Sequence, residues 1–220
     1  MIAELVIAER ERRGSDFADV ARWPDRVAGF EDLAFLFSST LLAHGIASLR
    51  LDEAAYLYRL IRDADPTTVI EIGRFRGGST FLIAAALGPG GKLHSYDLET
   101  RQGRRGDDLD RQLSAALDRY GLSDRVRLHI ANSRSAPTPA ETVDVLFVDG
   151  DHREEGVRAD VEHWGPRLAP GGHLVFHDAI DAPDLVPPFD AGPARVAASL
   201  GDEFERREGA GSLAHFVRRA

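Results

Sequence analysis

The 220-residue chain contains no cysteine. That absence excludes disulfide bonds, thiolate nucleophiles and cysteine-ligated metals. The chain also lacks any apolar run close to the roughly 18 residues of a membrane-spanning helix. Its first residues, MIAELVIAERERRG, have early acidic side chains and no apolar core with a small-residue cleavage site, which argues against a signal peptide. Together these absences predict a cytoplasmic protein with no membrane partner.

The chain also has fewer positively than negatively charged residues. The 27 Lys and Arg residues are outnumbered by 36 Asp and Glu residues, which gives a formal net charge of −9. Binding to phosphate backbones needs a basic face, so we predict no nucleic-acid partner. A hydrophobic content of 43% and a charged content of 29% are ordinary for a globular protein. The length suits one large α/β domain.

Two parts of the chain differ in their hydrophobic pattern. Residues 1–65 are predicted as an N-terminal helical extension, because FEDLAFLFSSTLLAHG and LDEAAYLYRLIRDA have apolar residues at helical spacing, with Asp52 as a candidate cap of the second helix. Residues 66–220 alternate strand-like and helical runs and end in the predicted hairpin FERREG and SLAHFVRR. This alternation predicts an α/β fold with a mostly parallel central sheet and an antiparallel C-terminal hairpin.

The block from Val145 to Asp178 concentrates titratable groups at two predicted strand ends. Asp149, Asp151 and His152 follow one strand, and His177 and Asp178 end the next. In open parallel sheets, ligands bind outside the carboxyl ends of the strands. The block therefore predicts an active site, in which Asp151 is expected to cap the helix that follows.

A glycine-rich loop, EIGRFRGGST, follows the first predicted strand. Glycines let the backbone approach a ligand closely, although structural turns use them as well. The dinucleotide fingerprint Gly-x-Gly-x-x-Gly is broken by Phe75, which counts against NAD or FAD. The second strand ends at Asp97, about 20 residues after Gly73, where a carboxylate can accept hydrogen bonds from ribose hydroxyls. Asn132, at the end of the third strand, is a candidate contact for adenine.

The Glu-x-Gly-x-x-x-Gly spacing of the loop resembles motif I of the class I S-adenosylmethionine-dependent methyltransferases. The segments FVDGDH, EGVRADVEHW and LAPGGHLVFHD resemble a small-molecule family that includes macrolide sugar O-methyltransferases and cephalosporin hydroxylase-like proteins. The resemblance covers about residues 44–180. It implies a Rossmann-like class I methyltransferase fold for residues 66–220 and methylation of a hydroxyl on a small metabolite, such as a sugar or a natural-product intermediate.

The resemblance also implies roles for individual residues. The implied S-adenosylmethionine site comprises Glu71, Gly73, Gly77, Ser79, Thr80, Asp97, Asn132, Ser133 and Asp149. Within it, the two hydroxyls at the helix start are expected to cap the helix and reach the carboxylate of the ligand. Asp149 and His152 are the implied catalytic residues, with His152 as the general base.

A divalent metal, Mg²⁺ or another, is a further implication, with Asp149, Asp178 and His177 as its ligands. Two departures from the relatives bear on it. His177 stands where the macrolide sugar enzymes have an acidic residue, and Ala179 stands where catechol-type enzymes have asparagine. Histidine would favour a softer metal than magnesium.

Other interpretations stay open at this point. An NAD-dependent oxidoreductase is disfavoured by Phe75 and by the lack of a Tyr-x-x-x-Lys pair. A non-methylating relative that binds S-adenosylmethionine or a metal is kept open by His177 and Ala179. Metal-dependent oxygenation would need a two-histidine, one-carboxylate set whose spacing is not clear here. The pattern further allows a homo-oligomer formed through the N-terminal helices, and a lid over Asp181–Ala191.

Overall fold

The computed structural model describes residue 17 and residues 23–37, 45–98, 100–101, 104–136, 142–180 and 191–220. Most of the predicted N-terminal extension before residue 45, and the predicted lid apart from Ala191, lie outside the described residues. None of the helices in these ranges is long and apolar enough to cross a membrane.

Nine strands and five α-helices make up the described fold. The strands are β1 (Thr68–Ile72), β2 (Lys92–Asp97), β3 (Thr100–Arg101), β4 (Arg104–Arg105), β5 (Val126–Ile130), β6 (Val143–Val148), β7 (Leu168–Phe176), β8 (Phe204–Arg207) and β9 (Ala214–Arg218). The helices are α1 (Leu51–Ala64), α2 (Gly78–Ala86), α3 (Gly106–Arg119), α4 (Glu154–Trp164) and α5 (Gly192–Ala198). Short 3₁₀ turns cover Phe30–Leu36, Ser123–Arg125 and Gly165–Arg167.

Seven of these strands form one sheet in the order β5-β2-β1-β6-β7-β9-β8. The first five of that order run parallel, and β9 pairs antiparallel with both β7 and β8. The chain leaves β1 towards β2 and β5, then returns to β6 on the other side of β1. Ligands bind at such a switch point in open α/β sheets. The predicted α/β fold with its C-terminal hairpin is confirmed.

Apolar side chains form a core on each face of the sheet. Successive residues of a strand point to opposite faces. Accordingly, Val145 and Phe147 belong to one buried cluster, whereas Leu146 and Val148 belong to the other. Leu57 and Ile61 of α1 pack in the first cluster. The predicted division at residue 65 stays a prediction, although α1 contributes to the same core as the sheet.

Two details of the predicted N-terminal helices are corrected. Phe30–Leu36 is a 3₁₀ turn rather than the start of an α-helix. Asp52 does not cap α1, because the N-cap position is Arg50. The backbone N–H of Arg50 donates to Glu53 Oε2 at 2.8 Å, so a carboxylate inside the first turn satisfies the helix start instead.

Candidate active site

The glycine-rich loop after β1 presses against the end of β6. Gly73 has φ +87, and a Cβ placed on it would lie 2.2 Å from the carbonyl oxygen of Asp149. Only glycine fits a backbone that is both left-handed and this close to another chain segment. The N–H of Gly73 donates to the carbonyl of Tyr96 at 2.9 Å, and the N–H of Asp149 donates to the carbonyl of Ile72 at 2.8 Å. The ends of β1, β2 and β6 are thereby fixed to one another.

Asp97, at the end of β2, holds this loop in place. Its Oδ2 accepts hydrogen bonds from the backbone N–H groups of Arg74, at 2.9 Å, and Phe75, at 2.7 Å. Its Oδ1 accepts one from the N–H of Leu98 at 2.6 Å. Phe75 adopts a positive φ of 47, which glycine would favour, so the carboxylate stabilises a strained turn. The predicted contact with a ribose stays a prediction.

Glu71 is fully buried beneath the loop. Its carboxylate accepts hydrogen bonds from the hydroxyls of Ser79 and Thr80, each at 2.6 Å, and of Ser95 at 2.5 Å. Burial raises the pKa of Glu71, although the three hydroxyl donors act in the opposite direction. The predicted cap by Ser79 and Thr80 is wrong: the N-cap of α2 is Gly77, which has φ +87, and no side chain caps the helix. Both hydroxyls turn inward because a buried carboxylate without donors would be costly.

Arg74 is a residue of the loop that the sequence interpretation missed. It is 2% exposed, and its guanidinium makes a two-bond ion pair with Asp110 of α3, at 2.9 Å from Nε and 2.7 Å from Nη2. Its Nη1 donates to the carbonyls of Ser95, at 2.8 Å, and His129, at 3.2 Å. Arg74 thus ties the loop to α3, β2 and β5. An arginine within two residues of the end of a buried strand is the signal that could have indicated it.

Asn132 and Ser133, after β5, have local partners. Asn132 is exposed, and its Oδ1 accepts the N–H of Arg134 at 3.1 Å. Ser133 Oγ donates to Asp160 Oδ1 at 2.6 Å, which anchors α4. Asp160 is 1% exposed, and burial raises its pKa. Asp160 therefore lies inside the fold and not on a solvated face of α4.

Asp151 is held by arginines rather than by the helix it was predicted to cap. The N-cap of α4 is Arg153, with no side-chain cap. Asp151 Oδ2 accepts hydrogen bonds from the guanidinium groups of Arg153, at 2.7 Å, and Arg134, at 2.8 Å. Burial alone would raise the pKa of Asp151, but these hydrogen bonds lower it. The prediction fails because Asp151 lies two residues before the N-cap, so its Oδ1 accepts the N–H of Arg153 itself, at 3.0 Å, and not an N–H inside the helix.

Three of the predicted catalytic and metal-binding residues come together at the ends of β6 and β7. Asp149, His152 and Asp178 each offer a ligand atom, and these atoms all lie within 4.8 Å of one another. His152 Nε2 lies 3.0 Å from Asp178 Oδ2. That hydrogen bond raises the pKa of His152, although burial opposes it. The group contains two carboxylates and one imidazole, a donor set that suits a divalent cation.

Asp178 has a strained backbone, with φ +51. Its N–H donates to Ser212 Oγ at 3.2 Å, and the N–H of Ala179 donates to the carbonyl of Ser212 at 2.9 Å. A left-handed conformation in a non-glycine residue persists only where the surroundings hold it, and such strain gathers at functional sites. Ser212, just before β9, therefore supports the position of Asp178.

His177 lies beside this group and is not one of its three members, and its predicted role as a metal ligand stays a prediction. It is 5% exposed, with Nδ1 at 2.8 Å from Asp149 Oδ1 and Nε2 at 3.3 Å from Glu53 Oε2. Burial would lower the pKa of His177, but Asp149, Glu53 and Asp178 together raise it well above its usual value. A carboxylate therefore faces each ring nitrogen of His177. The third member of the group is His152, which the sequence predicted as the general base.

Glu53 of α1 was missed by the sequence interpretation. Its carboxylate is buried and accepts hydrogen bonds from the N–H of Ser212, at 2.7 Å, and from Ser212 Oγ, at 2.8 Å. Burial alone would raise the pKa of Glu53, but hydrogen bonds from His177, Ser212 and Arg50 lower it to about 2. The signal was present, since Glu53 lies on the same helical face as the buried Leu57.

The fold and this arrangement of strand-end residues define a Rossmann-like protein of the methyltransferase class. Residues 70–179, half of the chain, match the family described as "Methyltransferase domain". The chain belongs to that family. The matched residues contain the whole glycine-rich loop and the group at the ends of β6 and β7, and the family predicted from the sequence is confirmed.

Curated relatives agree with this family. A 4'-O-methyltransferase of Streptomyces olivaceus, whose name gives 8-demethyl-8-(2,3-dimethoxy-alpha-L-rhamnosyl)-tetracenomycin C as substrate, is 31% identical over 170 residues, which are 64% of this chain and 65% of that protein. A catechol O-methyltransferase of Niastella koreensis is 22% identical over 172 residues, 74% of this chain and 73% of that protein. An uncharacterised protein of Sinorhizobium fredii is 27% identical over 125 residues, 54% of this chain but 14% of that protein. The chain thus spans less than two thirds of the Streptomyces olivaceus and Sinorhizobium fredii relatives.

Solved structures share the fold. The O-methyltransferase TomG of Streptomyces achromogenes, in complex with S-adenosylmethionine, has a TM-score of 0.60 at 21% identity and covers 96% of this chain and 99% of its own. An O-methyltransferase of Bacillus cereus, in complex with S-adenosylhomocysteine, has a TM-score of 0.59 at 14% identity and covers 78% and 83%. At these identities the likeness shows the fold alone.

Proposed function

We propose that the protein is an S-adenosylmethionine-dependent O-methyltransferase that acts on a hydroxyl of a small metabolite. The observation that carries the proposal is the contact of Gly73 with Asp149, which brings the glycine-rich loop against the group at the ends of β6 and β7. Methyl transfer is an in-line displacement, so donor and acceptor must be aligned side by side. The loop with Asp97 is called the donor half below, and Asp149, His152 and Asp178 are called the acceptor half.

In the donor half, the ligand would lie along the loop between β1 and α2. We expect the backbone at Gly73 and Gly77 to approach the amino-acid end of S-adenosylmethionine, with Asp97 accepting hydrogen bonds from ribose hydroxyls. Asn132 and Ser133 would lie towards adenine. Glu71, Ser79 and Thr80 bond to one another in the described structure, so we expect them to shape the floor of the loop. Asp149 belongs to the acceptor half, and we expect it also to contact the bound S-adenosylmethionine.

In the acceptor half, His152 is suited to remove the proton from the acceptor hydroxyl. An imidazole works as a general base near neutral pH, and a positioned base contributes roughly 10²–10⁴-fold to rate. Asp178 orients the ring through the hydrogen bond to Nε2 at 3.0 Å. The same carboxylate would stabilise the imidazolium formed when the proton is taken.

Alternatively, the acceptor half fits a divalent cation held by Asp149, His152 and Asp178, in which case His152 would be a ligand and not the base. When bound, such an ion would lower the pKa of an acceptor hydroxyl. The imidazole in this set favours manganese, iron or zinc over magnesium. We expect chelation with EDTA to lower turnover and the matching metal to restore it. Full activity after chelation would show that His152 and the two carboxylates act alone.

A sugar hydroxyl is the acceptor we favour. The relative from Streptomyces olivaceus has a rhamnosyl group in the name of its substrate, and Ala179 replaces the asparagine expected of catechol-type enzymes. The test is incubation with S-adenosylmethionine and either a methyl rhamnoside or catechol, with methylated product detected by mass spectrometry. Methylation of catechol alone would overturn the sugar preference. Failure to bind S-adenosylmethionine by calorimetry would overturn the proposal itself.

Two alternatives are separated by the same calorimetry. A non-methylating relative would bind S-adenosylmethionine or a metal without forming product with any hydroxylated compound in a wide screen. An NAD-dependent oxidoreductase, which the family assignment disfavours, would bind NAD instead. A cytoplasmic location, the lack of nucleic-acid partners and oligomerisation through the N-terminal helices stay predictions.

A further inference from the structure

Glu53 sits at a junction between the acceptor half and two elements outside the family-matched residues. It belongs to α1, and its Oε1 accepts hydrogen bonds from Ser212, which precedes β9. A Cβ on Gly211, where φ is +56, would lie 2.5 Å from Glu53 Oε1. The hairpin backbone is therefore closely fitted around this carboxylate, in a conformation that glycine permits.

From this junction, one path leads to Asp149. Glu53 Oε2 faces His177 Nε2 at 3.3 Å, and His177 Nδ1 faces Asp149 Oδ1 at 2.8 Å. The imidazole is thus held at both nitrogens, which fixes the plane of the ring. A ring fixed in this way restricts the carboxylate of Asp149 to one orientation.

A second path leads to Asp178. Ser212 Oγ donates to Glu53 Oε1 at 2.8 Å and accepts the N–H of Asp178 at 3.2 Å. The hydroxyl can do both because it offers one donor and two acceptor lone pairs. Glu53 thereby orients the group that holds the left-handed backbone of Asp178, whose carboxylate in turn bonds His152.

We propose that Glu53 is a positioning residue that fixes both carboxylates of the acceptor half, Asp149 through His177 and Asp178 through Ser212. It touches no reacting atom in this scheme, and the inference rests on the proposed function for its catalytic meaning. Partners of this kind cost about 10–100-fold in activity or metal affinity when they are removed. Small displacements of the groups at a reacting centre lower the reaction rate by a similar factor.

The test compares Glu53→Gln, Glu53→Ala and Ser212→Ala with a matched control, Tyr56→Phe. Tyr56 lies one turn further along α1 and also joins that helix to the C-terminal hairpin, through His215 Nδ1 at 2.7 Å and the carbonyl of Glu208. It contacts no residue of the acceptor half in the hydrogen bonds described for it. Loss of general helix–hairpin docking would therefore affect the control as well.

The first readout is the NMR spectrum of the histidine ring nitrogens in the ¹⁵N-labelled protein. The signals of His152 are assigned as those that disappear in the His152→Ala variant. Glu53 makes no hydrogen bond to His152, so a change there reports transmission through the residues between them, and Ser212→Ala isolates the path through Asp178. We expect shifted His152 signals in Glu53→Gln and Ser212→Ala and unchanged signals in Tyr56→Phe. Unchanged signals in Glu53→Gln, or equal shifts in the control, would overturn the inference. If Glu53→Ala does not fold, the other two variants decide.

The second readout is steady-state kinetics with the acceptor found in the rhamnoside and catechol screen. We expect Glu53→Gln to lower kcat by about tenfold, while affinity for S-adenosylmethionine changes by less than about threefold, because the donor half is untouched. A wild-type kcat in this variant would refute the positioning role and leave the proposed function standing. An inactive wild type that binds no S-adenosylmethionine would instead refute the proposed function, and the NMR result would then decide the geometry alone.

Discussion

The two halves of the candidate site are built in different ways. The donor half comes from neighbouring segments, β1, its loop and β2, and the carboxylate of Asp97 bonds backbone N–H groups of that same loop. The acceptor half depends on distant segments, since Glu53 and Ser212 are 159 residues apart and bond each other directly. Hydrogen bonds from local backbone groups make a rigid loop, whereas the acceptor carboxylates are held by side chains from both ends of the chain. We therefore expect a mutation confined to one half to change either the affinity for S-adenosylmethionine or kcat, and to leave the other quantity nearly unchanged.

His152→Ala should give the largest effect. Loss of the general base should lower kcat by about 10³-fold, while affinity for S-adenosylmethionine stays within about twofold. Rapid-quench measurement of methyl transfer and calorimetry check the two quantities. His94→Gln is the control, because His94 stacks on His129 between β2 and β5, away from the acceptor half. Equal losses of affinity and kcat would show that the halves are not separable.

Asp149→Asn should lower kcat by about 100-fold and should also weaken binding of S-adenosylmethionine. Asp149 is the residue that touches both halves, because its carbonyl abuts Gly73 and its carboxylate bonds His177. The same kinetic and calorimetric measurements apply. Asp202→Asn, at an exposed position before β8, serves as the control. An effect on kcat alone would assign Asp149 to the acceptor half only.

Gly73→Ala tests the boundary between the halves. The added Cβ would lie 2.2 Å from the carbonyl oxygen of Asp149, in a backbone with φ +87. We expect the free energy of unfolding to fall by about 2 kcal/mol and binding of S-adenosylmethionine to weaken. Urea unfolding and calorimetry measure both. Gly90→Ala is the matched control, since a Cβ there has nothing within 4 Å. Similar losses of stability in the two variants would contradict a close contact between Gly73 and Asp149.

The last expected effect is a pH dependence of stability that arises in the C-terminal hairpin. Burial, with His173 and Arg207 nearby, lowers the pKa of His215 from 6.5 to about 4. The unfolded chain then binds more protons between these pH values, so stability is full above pH 6.5 and falls as the pH drops towards 4. We expect wild type to lose about 2 kcal/mol more than His215→Gln between pH 7 and pH 4.5 in urea unfolding. Equal losses would show that His215 does not titrate in this range.

Much of the acceptor half could be predicted from the sequence because neighbouring parallel strands end at the same edge of a sheet. Asp149, His152 and Asp178 follow two apolar strands, and their proximity follows from that topology. His177 was predicted on the same grounds, and its ring lies between Asp149 and Glu53, a position that the sequence pattern did not indicate. The sequence pattern could locate the strand ends, but it could not indicate the hydrogen-bond partner of each ring nitrogen of His177.

The sequence by itself determined the order of strands and helices, the family, and the edge of the sheet where polar groups gather, because hydrophobic periodicity and turn residues act locally. Only the tertiary structure decided that Ser79 and Thr80 bond Glu71, that Arg74 joins its loop to three elements, and that α1 supplies Glu53 to the acceptor half. The physical reason is that sequence patterns reflect neighbouring residues, whereas a hydrogen bond can join residues that are far apart in the sequence. A hydrogen bond depends on a separation of about 3 Å in space. Glu53 and His177 reach theirs across 124 positions of sequence.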